Sequence, residues 1–148
     1  MKICLACSAG GHLNELLQLK EAFEKENHFF VTNKRINSVE LAKKEKVYFV
    51  ECPGRNPLKL AKNVVQALKV FLKEKPDIVI STGADTAIPL CLIAKMFGKK
   101  VVFIESFCRI DELSLSGKIM YGKADLFFVQ WPELKGKFSG TKYEGSVF

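Results

Sequence analysis

Runs of apolar residues alternate with amphipathic segments along the whole chain, a pattern typical of βαβ units and a parallel sheet. Short apolar runs bounded by turn residues predict buried strands, whereas apolar positions recurring every three or four residues predict helices. We predict strands at residues 3–8, 29–32, 47–51, 77–81, 100–105 and 126–130. Predicted helices cover residues 13–25, 39–44, 58–73, 86–97 and 113–121, and a short helical turn follows Trp131-Pro132.

This alternation predicts a single α/β domain over residues 1–148, a Rossmann-like, doubly wound parallel sheet. A chain of this length can bury a core without the help of a disulfide or a metal. Six such strands favour the order 3-2-1-4-5-6, which places a ligand crevice at the carboxyl ends of strands one and four. Two glycine-containing loops, at residues 8–12 and 81–86, follow those two strands.

The chain is basic, with a formal net charge of +7 from 23 Lys and Arg and 16 Asp and Glu. Positive charge favours phosphorylated ligands, an anionic membrane surface or nucleic acid. The lysines are dispersed and no nucleic-acid-binding motif is present, so we expect no nucleic-acid partner. We find no signal peptide, and the uncharged stretch at residues 86–94 is far shorter than the roughly 20 residues that cross a bilayer. We expect a cytoplasmic protein with peripheral contact to the inner face of the membrane.

Five cysteines, an odd number at irregular spacing, argue against a disulfide framework. Cys4 and Cys7 form a C-x-x-C sequence, which occurs in redox and zinc sites. Both fall in the first predicted strand, where residues three apart point to opposite faces, and no second cysteine pair could complete a zinc site. We therefore predict structural thiols and no metal site.

The first loop, Ser8-Ala9-Gly10-Gly11-His12, joins the first strand to the first helix. Glycines let a backbone approach a ligand closely, and the N-terminus of a helix presents free N–H groups to an anion. His12 could add a proton or a hydrogen bond. The alternative is that the glycines only make a tight turn, but the position in the fold favours ligand binding.

Two further segments follow strand ends. Thr82 and Gly83 lie in the loop after the fourth strand, where Asp85 or Thr86 is expected to cap the next helix. Glu105 ends the fifth strand, and there a carboxylate would point toward the mouth of the crevice. The alternative for Glu105 is a surface ion pair with Arg109, which would contribute little stability.

Nucleotide-binding motifs are missing. Neither G-x-G-x-x-G nor G-x-x-x-x-G-K-[ST] occurs, and the second strand ends in Thr32-Asn33-Lys34-Arg35 rather than in an acidic residue. Because Lys34 and Arg35 could meet a 2′-phosphate, an NADP-binding oxidoreductase stays open as an alternative. The predicted helix at 58–73 carries four lysines beside its apolar positions, so it either packs on the sheet with a solvated basic face or lies on anionic lipid.

Several motifs in a fixed order carry a family resemblance over nearly the whole chain. They are Glu-Ser-x-x-Arg at 105–109, Leu-Ser-x-Ser-Gly-Lys at 113–118 and Val-Gln-Trp-Pro at 129–132, together with the two glycine loops. With them the chain resembles the membrane-recruiting subunit of the two-chain UDP-N-acetylglucosamine transferase of N-glycan assembly. It also resembles that subunit's bacterial relatives in capsule and exopolysaccharide synthesis. The eukaryotic subunit usually begins with a membrane-spanning helix, a feature this sequence does not share.

The resemblance implies the N-terminal, acceptor-side half of a GT-B glycosyltransferase, with the donor half on a separate small subunit. It implies transfer from a UDP-sugar, bound mainly by that partner, to a lipid-pyrophosphate-linked saccharide, without a cofactor. His12 is the implied catalytic residue, as a base or a phosphate ligand. A non-catalytic scaffold that positions a transferase is the alternative. The expected substrate-binding residues are Gly10, Gly11, His12, Thr82, Gly83, Glu105 and Arg109.

Overall fold

Seven parallel strands form one sheet in a computed structural model that describes residues 1–148. The strands are β1 (Lys2–Cys7), β2 (Asn27–Thr32), β3 (Val47–Phe49), β4 (Ile78–Gly83), β5 (Lys100–Ile104), β6 (Leu126–Val129) and β7 (Lys142–Tyr143). The helices are α1 (Gly11–Gln18), α2 (Lys20–Phe23), α3 (Ile36–Leu41), α4 (Pro57–Glu74), α5 (Ile88–Met96), α6 (Leu115–Met120) and α7 (Pro132–Lys137). The strand order is β3-β2-β1-β4-β5-β6-β7, so the predicted doubly wound α/β fold and the order of its first six strands are confirmed.

The core lies on both faces of the sheet, as the interior strand β1 shows. Alternate residues of β1 belong to two separate hydrophobic clusters, with Cys4 in one and Cys7 in the other. This arrangement confirms that the two thiols point to opposite faces. Burial raises the pKa of Cys4 well above its ordinary value and that of Cys7 to about 12, so neither thiol is a reactive nucleophile at neutral pH.

Several predicted boundaries were wrong. The first helix is divided at Leu19 into α1 and α2 rather than continuous over 13–25. Strand β4 continues through Thr82 to Gly83, so these residues end the strand instead of following it. Strand β7 was not predicted; its two residues are Lys142, which is exposed, and Tyr143. So short a segment carries no alternation of apolar and polar residues.

Helix α4 begins with a well-defined cap. Asn56 accepts hydrogen bonds from the backbone N–H groups of Leu58 and Lys59, at 2.9 and 3.2 Å, and Pro57 occupies the first turn. By contrast, neither Asp85 nor Thr86 caps α5, which corrects the expectation from sequence: its cap residue is Ala87, without a side-chain hydrogen bond. None of the helices combines the length and the apolarity that crossing a membrane requires.

Candidate active site

His12 and Thr82 are joined by two hydrogen bonds at the carboxyl ends of β1 and β4. The Thr82 hydroxyl donates to the carbonyl oxygen of His12 at 2.7 Å, and His12 Nδ1 lies 2.8 Å from the carbonyl oxygen of Thr82. Since a carbonyl only accepts, Nδ1 carries the hydrogen, and neutral His12 keeps a free lone pair on Nε2. His12 lines a cavity of about 750 Å³, and its Nε2 takes part in no hydrogen bond within the protein.

A bulge in the pairing of β1 with β4 fixes this arrangement. Ala6 pairs with Ser81 and Cys7 pairs with Gly83, which leaves Thr82 as the extra residue. Bulges re-aim the groups of the extra residue. Here the carbonyl and the hydroxyl of Thr82 each form a hydrogen bond with His12 on α1. The first predicted ligand loop and the second are therefore held together, as expected for a crevice at the switch point of the sheet.

Glycine occupies three positions of the site for different structural reasons. Gly10 and Gly83 have φ angles of 106° and 98°, which side chains rarely tolerate. A Cβ on Gly83 would also lie 3.3 Å from Phe103 Cζ, whereas one on Gly11 would meet nothing within 4 Å. Gly11 therefore borders open space in front of helix α1, where a ligand can approach its N–H groups.

Asn33, a buried residue just after β2, holds the first loop in place. Its side-chain oxygen accepts a hydrogen bond of 2.7 Å from the backbone N–H of Ala9. Ser38 in turn donates to the carbonyl oxygen of Asn33 at 2.8 Å. From sequence, Asn33 was noted only because the second strand does not end in an acidic residue. The supporting role of Asn33 could not be predicted, because it depends on a contact between separate βα units.

Glu15 is a second supporting residue of the site that was not predicted from sequence. It lies on α1, one turn after His12, and is only 4% exposed. Its carboxylate accepts from the Ser106 hydroxyl at 3.0 Å, from the Phe107 N–H at 3.3 Å and from the Gln130 amide at 3.3 Å. These bonds fix the helix that carries His12 to the ends of β5 and β6. The only sequence signal is a carboxylate inside the apolar stripe of an amphipathic helix.

Glu105 is buried instead of facing the mouth of the crevice, and it forms no ion pair with Arg109. It is 1% exposed, and its carboxylate accepts from the N–H and hydroxyl of Ser114 at 2.9 and 3.1 Å. Ser114 then caps α6 by accepting from the N–H of Gly117 at 2.9 Å. A Cβ on Gly117 would overlap the Glu105 carboxylate, which explains the glycine of the Leu-Ser-x-Ser-Gly-Lys motif.

A cavity of about 750 Å³ opens at this edge of the sheet. Its size falls in the range of small-molecule sites. Arg55 and Arg109 lie on its wall, both exposed and neither within 4 Å of a carboxylate. The rest of the wall is formed by His12, Pro53, Leu60, Val64, Ala84, Asp85, Ile88, Pro89, Leu92, Ile93, Met96, Ser114, Leu115, Ser116 and Ile119.

Asp85 fixes one rim of this cavity. Its carboxylate accepts a hydrogen bond of 2.8 Å from the N–H of Gly54, which ties the β4–α5 loop to the loop before α4. The adjacent residue Ala84 has a φ of 74°, and Arg55 has a φ of 65°. Such angles are costly for residues with a Cβ, and strained backbone of this kind is concentrated at functional sites.

The structure thus brings together Gly10, Gly11, His12, Thr82, Gly83 and Arg109 at one edge of the sheet, while Glu105 is buried and does not line the cavity. No cluster of three or more His, Cys, Asp or Glu side chains is suited to hold a metal ion. The chemistry available is an imidazole with a free Nε2, two unpaired guanidinium groups and the N-terminus of α1. These groups can bind a phosphorylated ligand and accept a proton from it.

Comparison with solved structures defines the fold class first. The chain matches UDP-N-acetylglucosamine 2-epimerase from Rickettsia bellii with a TM-score of 0.76 and 17% identity, over 99% of this chain and 45% of the epimerase. It matches MurG from Acinetobacter baumannii with a TM-score of 0.73 and 17% identity, over 90% of this chain and 43% of MurG. The chain therefore spans under half of these proteins and has the fold of one Rossmann-like half of a GT-B enzyme.

The family follows from sequence. Residues 53–147 match the family described as "Oligosaccharide biosynthesis protein Alg14 like", and the chain belongs to this family. Human "UDP-N-acetylglucosamine transferase subunit ALG14" is 28% identical over 179 residues, covering 99% of this chain and 83% of the human protein. The relationship to the transferase subunit that the motifs indicated is confirmed.

Proposed function

We propose that this chain is the acceptor-binding and partner-recruiting subunit of a two-chain glycosyltransferase. A separate small subunit binds most of the UDP-sugar donor, and the acceptor is a saccharide linked to a lipid pyrophosphate. The setting we favour is the assembly of capsule or exopolysaccharide. Membership of the Alg14-like family and the match to half of a GT-B fold support this division of labour.

The observation that carries the proposal is that His12 lines the cavity while its Nε2 forms no hydrogen bond within the protein. In the proposed reaction, an acceptor hydroxyl attacks the anomeric carbon of the UDP-sugar. The new carbon–oxygen bond forms as the bond to UDP breaks, and UDP leaves with the electron pair. His12 Nε2 takes the hydroxyl proton, while the Nδ1 hydrogen bond to Thr82 stabilises the imidazolium that results.

The pyrophosphate of the acceptor is proposed to bind between the N-terminus of α1 and the two cavity arginines. Arg55 and Arg109 have no carboxylate partner, and guanidinium groups match phosphate oxygens in geometry and charge. Gly11 leaves the backbone accessible. Glu105 and Thr82 then act as positioning residues, and no cofactor is required.

Peripheral attachment to the inner face of the membrane is proposed through α4. Leu58, Val65 and Leu72 recur every seven residues, and they are 81%, 52% and 49% exposed. Four lysines of the same helix are spaced three, seven and four residues apart and so form a row beside this stripe: Lys59, Lys62, Lys69 and Lys73. An apolar stripe beside a row of lysines suits the interface of an anionic bilayer.

The same exposed stripe favours a second candidate, a non-catalytic scaffold that docks a transferase through an apolar surface. The two functions are separated by sugar transfer from radiolabelled UDP-sugars to native membranes, measured for this chain, for its candidate small partner and for both together. Transfer that requires both chains supports the split enzyme. Full-rate transfer by the partner alone would contradict it and leave the scaffold.

A further inference from the structure

The cavity at the sheet edge has a polar end and an apolar end. Its polar end is formed by His12 at the start of α1 and by Arg55, Arg109 and Ser114 on segments that follow strands β3 and β5, all at the carboxyl edge of the sheet. In a parallel sheet the connecting helices run antiparallel to the strands, so α4, α5 and α6 all begin at this edge and extend away from it.

The apolar end follows these three helices. On α5 the cavity residues recur on successive turns from Ile88 through Leu92 to Met96, a distance of about 12 Å at 1.5 Å per residue. Val64 of α4 and Ile119 of α6 line the cavity on the two neighbouring helices. The wall beyond the polar end therefore carries almost only carbon atoms and forms an apolar groove between the helices.

The two ends together match an amphiphile with an anionic head. The arginines at the polar end have no carboxylate within 4 Å, and the nearby Asp85 carboxylate is occupied by the N–H of Gly54. A soluble sugar phosphate would use only the polar end and leave the groove exposed to water. A hydrocarbon chain attached to a diphosphate would fill both ends at once.

We propose that the groove between α4, α5 and α6 binds the first carbons of a lipid diphosphate, with the diphosphate at Arg55 and Arg109 and the chain running along α5 toward Met96. This inference rests on the proposed function and adds a subsite to it: the protein recognises the lipid as well as the head group. The lipid chain then leaves the groove near the exposed apolar positions of Met96 and α4 and continues into the bilayer.

The test compares farnesyl diphosphate, inorganic pyrophosphate and farnesol as ligands of the full chain, below the concentration at which the lipids form micelles. Binding is measured by calorimetry and by amide chemical shifts. We expect farnesyl diphosphate to bind at least tenfold more tightly than pyrophosphate, because each buried methylene contributes roughly fourfold. It should shift amides of α4, α5 and α6, while pyrophosphate shifts only the loops at the sheet edge.

Two substitutions on adjacent residues of α4 provide a matched pair. Val64→Glu places a charge in the groove, whereas Val65→Glu places one on the exposed stripe outside it; the two valines are 39% and 52% exposed. We expect Val64→Glu, and the milder Leu92→Ala, to reduce the preference for farnesyl diphosphate and to leave pyrophosphate binding unchanged. Val65→Glu should retain the preference. Circular dichroism checks that each variant is folded.

Two results would overturn the lipid subsite: equal affinity for farnesyl diphosphate and pyrophosphate, or the same loss in Val65→Glu as in Val64→Glu. Either would leave the proposed acceptor site intact, because pyrophosphate still binds. Failure of pyrophosphate to bind, or binding that is unchanged in Arg55→Ala combined with Arg109→Ala, would instead contradict the proposed function. It would overturn the lipid subsite with it.

Discussion

His12 and Thr82, 70 residues apart in sequence, hold each other through a hydrogen bond in each direction, at 2.8 and 2.7 Å. The pair joins helix α1 to the bulge in β4, and it selects the tautomer that leaves the Nε2 lone pair of His12 free, on a residue that lines the cavity. The geometry of the proposed base is thus determined by the contact between two halves of the sheet rather than by the glycine loop alone.

Removal of the Thr82 hydroxyl should loosen His12 without removing the imidazole. In Thr82→Val the backbone carbonyl still accepts from Nδ1, but the bond to the carbonyl of His12 is lost. We expect kcat of the two-chain enzyme to fall by roughly tenfold with little change in KM, because the base is misplaced. Thr82→Ser, which keeps the hydroxyl, should restore most of the rate. Equal rates in wild type and Thr82→Val would contradict a positioning role.

Gly117 is expected to tolerate no side chain, because a Cβ would overlap the Glu105 carboxylate. Gly117→Ala must displace Glu105 from Ser114, so we expect destabilisation by about 1–3 kcal/mol, the cost of disrupted buried hydrogen bonds. Gly136→Ala is the matched control on α7, where a Cβ meets nothing within 4 Å. It should keep or raise the melting temperature. Similar melting temperatures for the two variants would contradict this account of α6.

Glu15 is expected to be a buried support of the site. Glu15→Leu leaves Ser106, Phe107 and Gln130 without their acceptor, at a cost of about 1–3 kcal/mol in the free energy of unfolding. Glu15→Gln keeps one acceptor oxygen and should cost less. The exposed Glu21, which forms no ion pair, gives the control Glu21→Leu. Urea unfolding measures the differences; the prediction fails if Glu15→Leu and Glu21→Leu have the same midpoint.

Glu74 should make the fold sensitive to acid. Burial raises its pKa, but hydrogen bonds from Lys2, Lys46 and Tyr48 outweigh burial and bring the pKa down to about 2, from an ordinary value of 4.5. The pKa of Asp125 is likewise lowered to about 2: burial raises it, but hydrogen bonds, among them one from Lys95, outweigh burial. A lowered carboxyl pKa contributes stability that is present above about pH 4.5 and lost as the pH falls toward 2.

The measurement is the urea midpoint of unfolding at several pH values between 7 and 2.5. The wild type should lose stability steeply below about pH 4.5. Glu74→Gln should be less stable at pH 7 and should lose less on acidification. An identical pH profile for the two proteins would show that Glu74 makes no such contribution.

Local pattern was sufficient to predict the sheet but not the contacts between its parts. The apolar runs around Leu5 and Val79 are long and bounded by turn residues, so their strands and order follow from sequence. The split at Leu19 and the strand β7 involve too few residues to leave a periodic signal.

Local pattern likewise predicted part of the site, but not the contacts that support it. Gly10, Gly11 and His12 occupy a position that any doubly wound sheet uses for ligands. The roles of Glu105 and Glu15 could not be read from the chain, because their partners Ser114 and Gln130 meet them only in the folded protein. Arg55 was not among the predicted site residues, because the cavity that it shares with Arg109 requires three helices to be in place.

Whether His12 acts in the reaction is decided by the rate of sugar transfer by the reconstituted two-chain enzyme, measured with the wild-type chain and with His12→Ala. If His12 is the base, we expect kcat to fall by roughly 10²- to 10⁴-fold, while co-purification shows that the partner still binds. Unchanged transfer by His12→Ala, with both chains still required, would contradict an active site in this chain and leave it a scaffold for its partner.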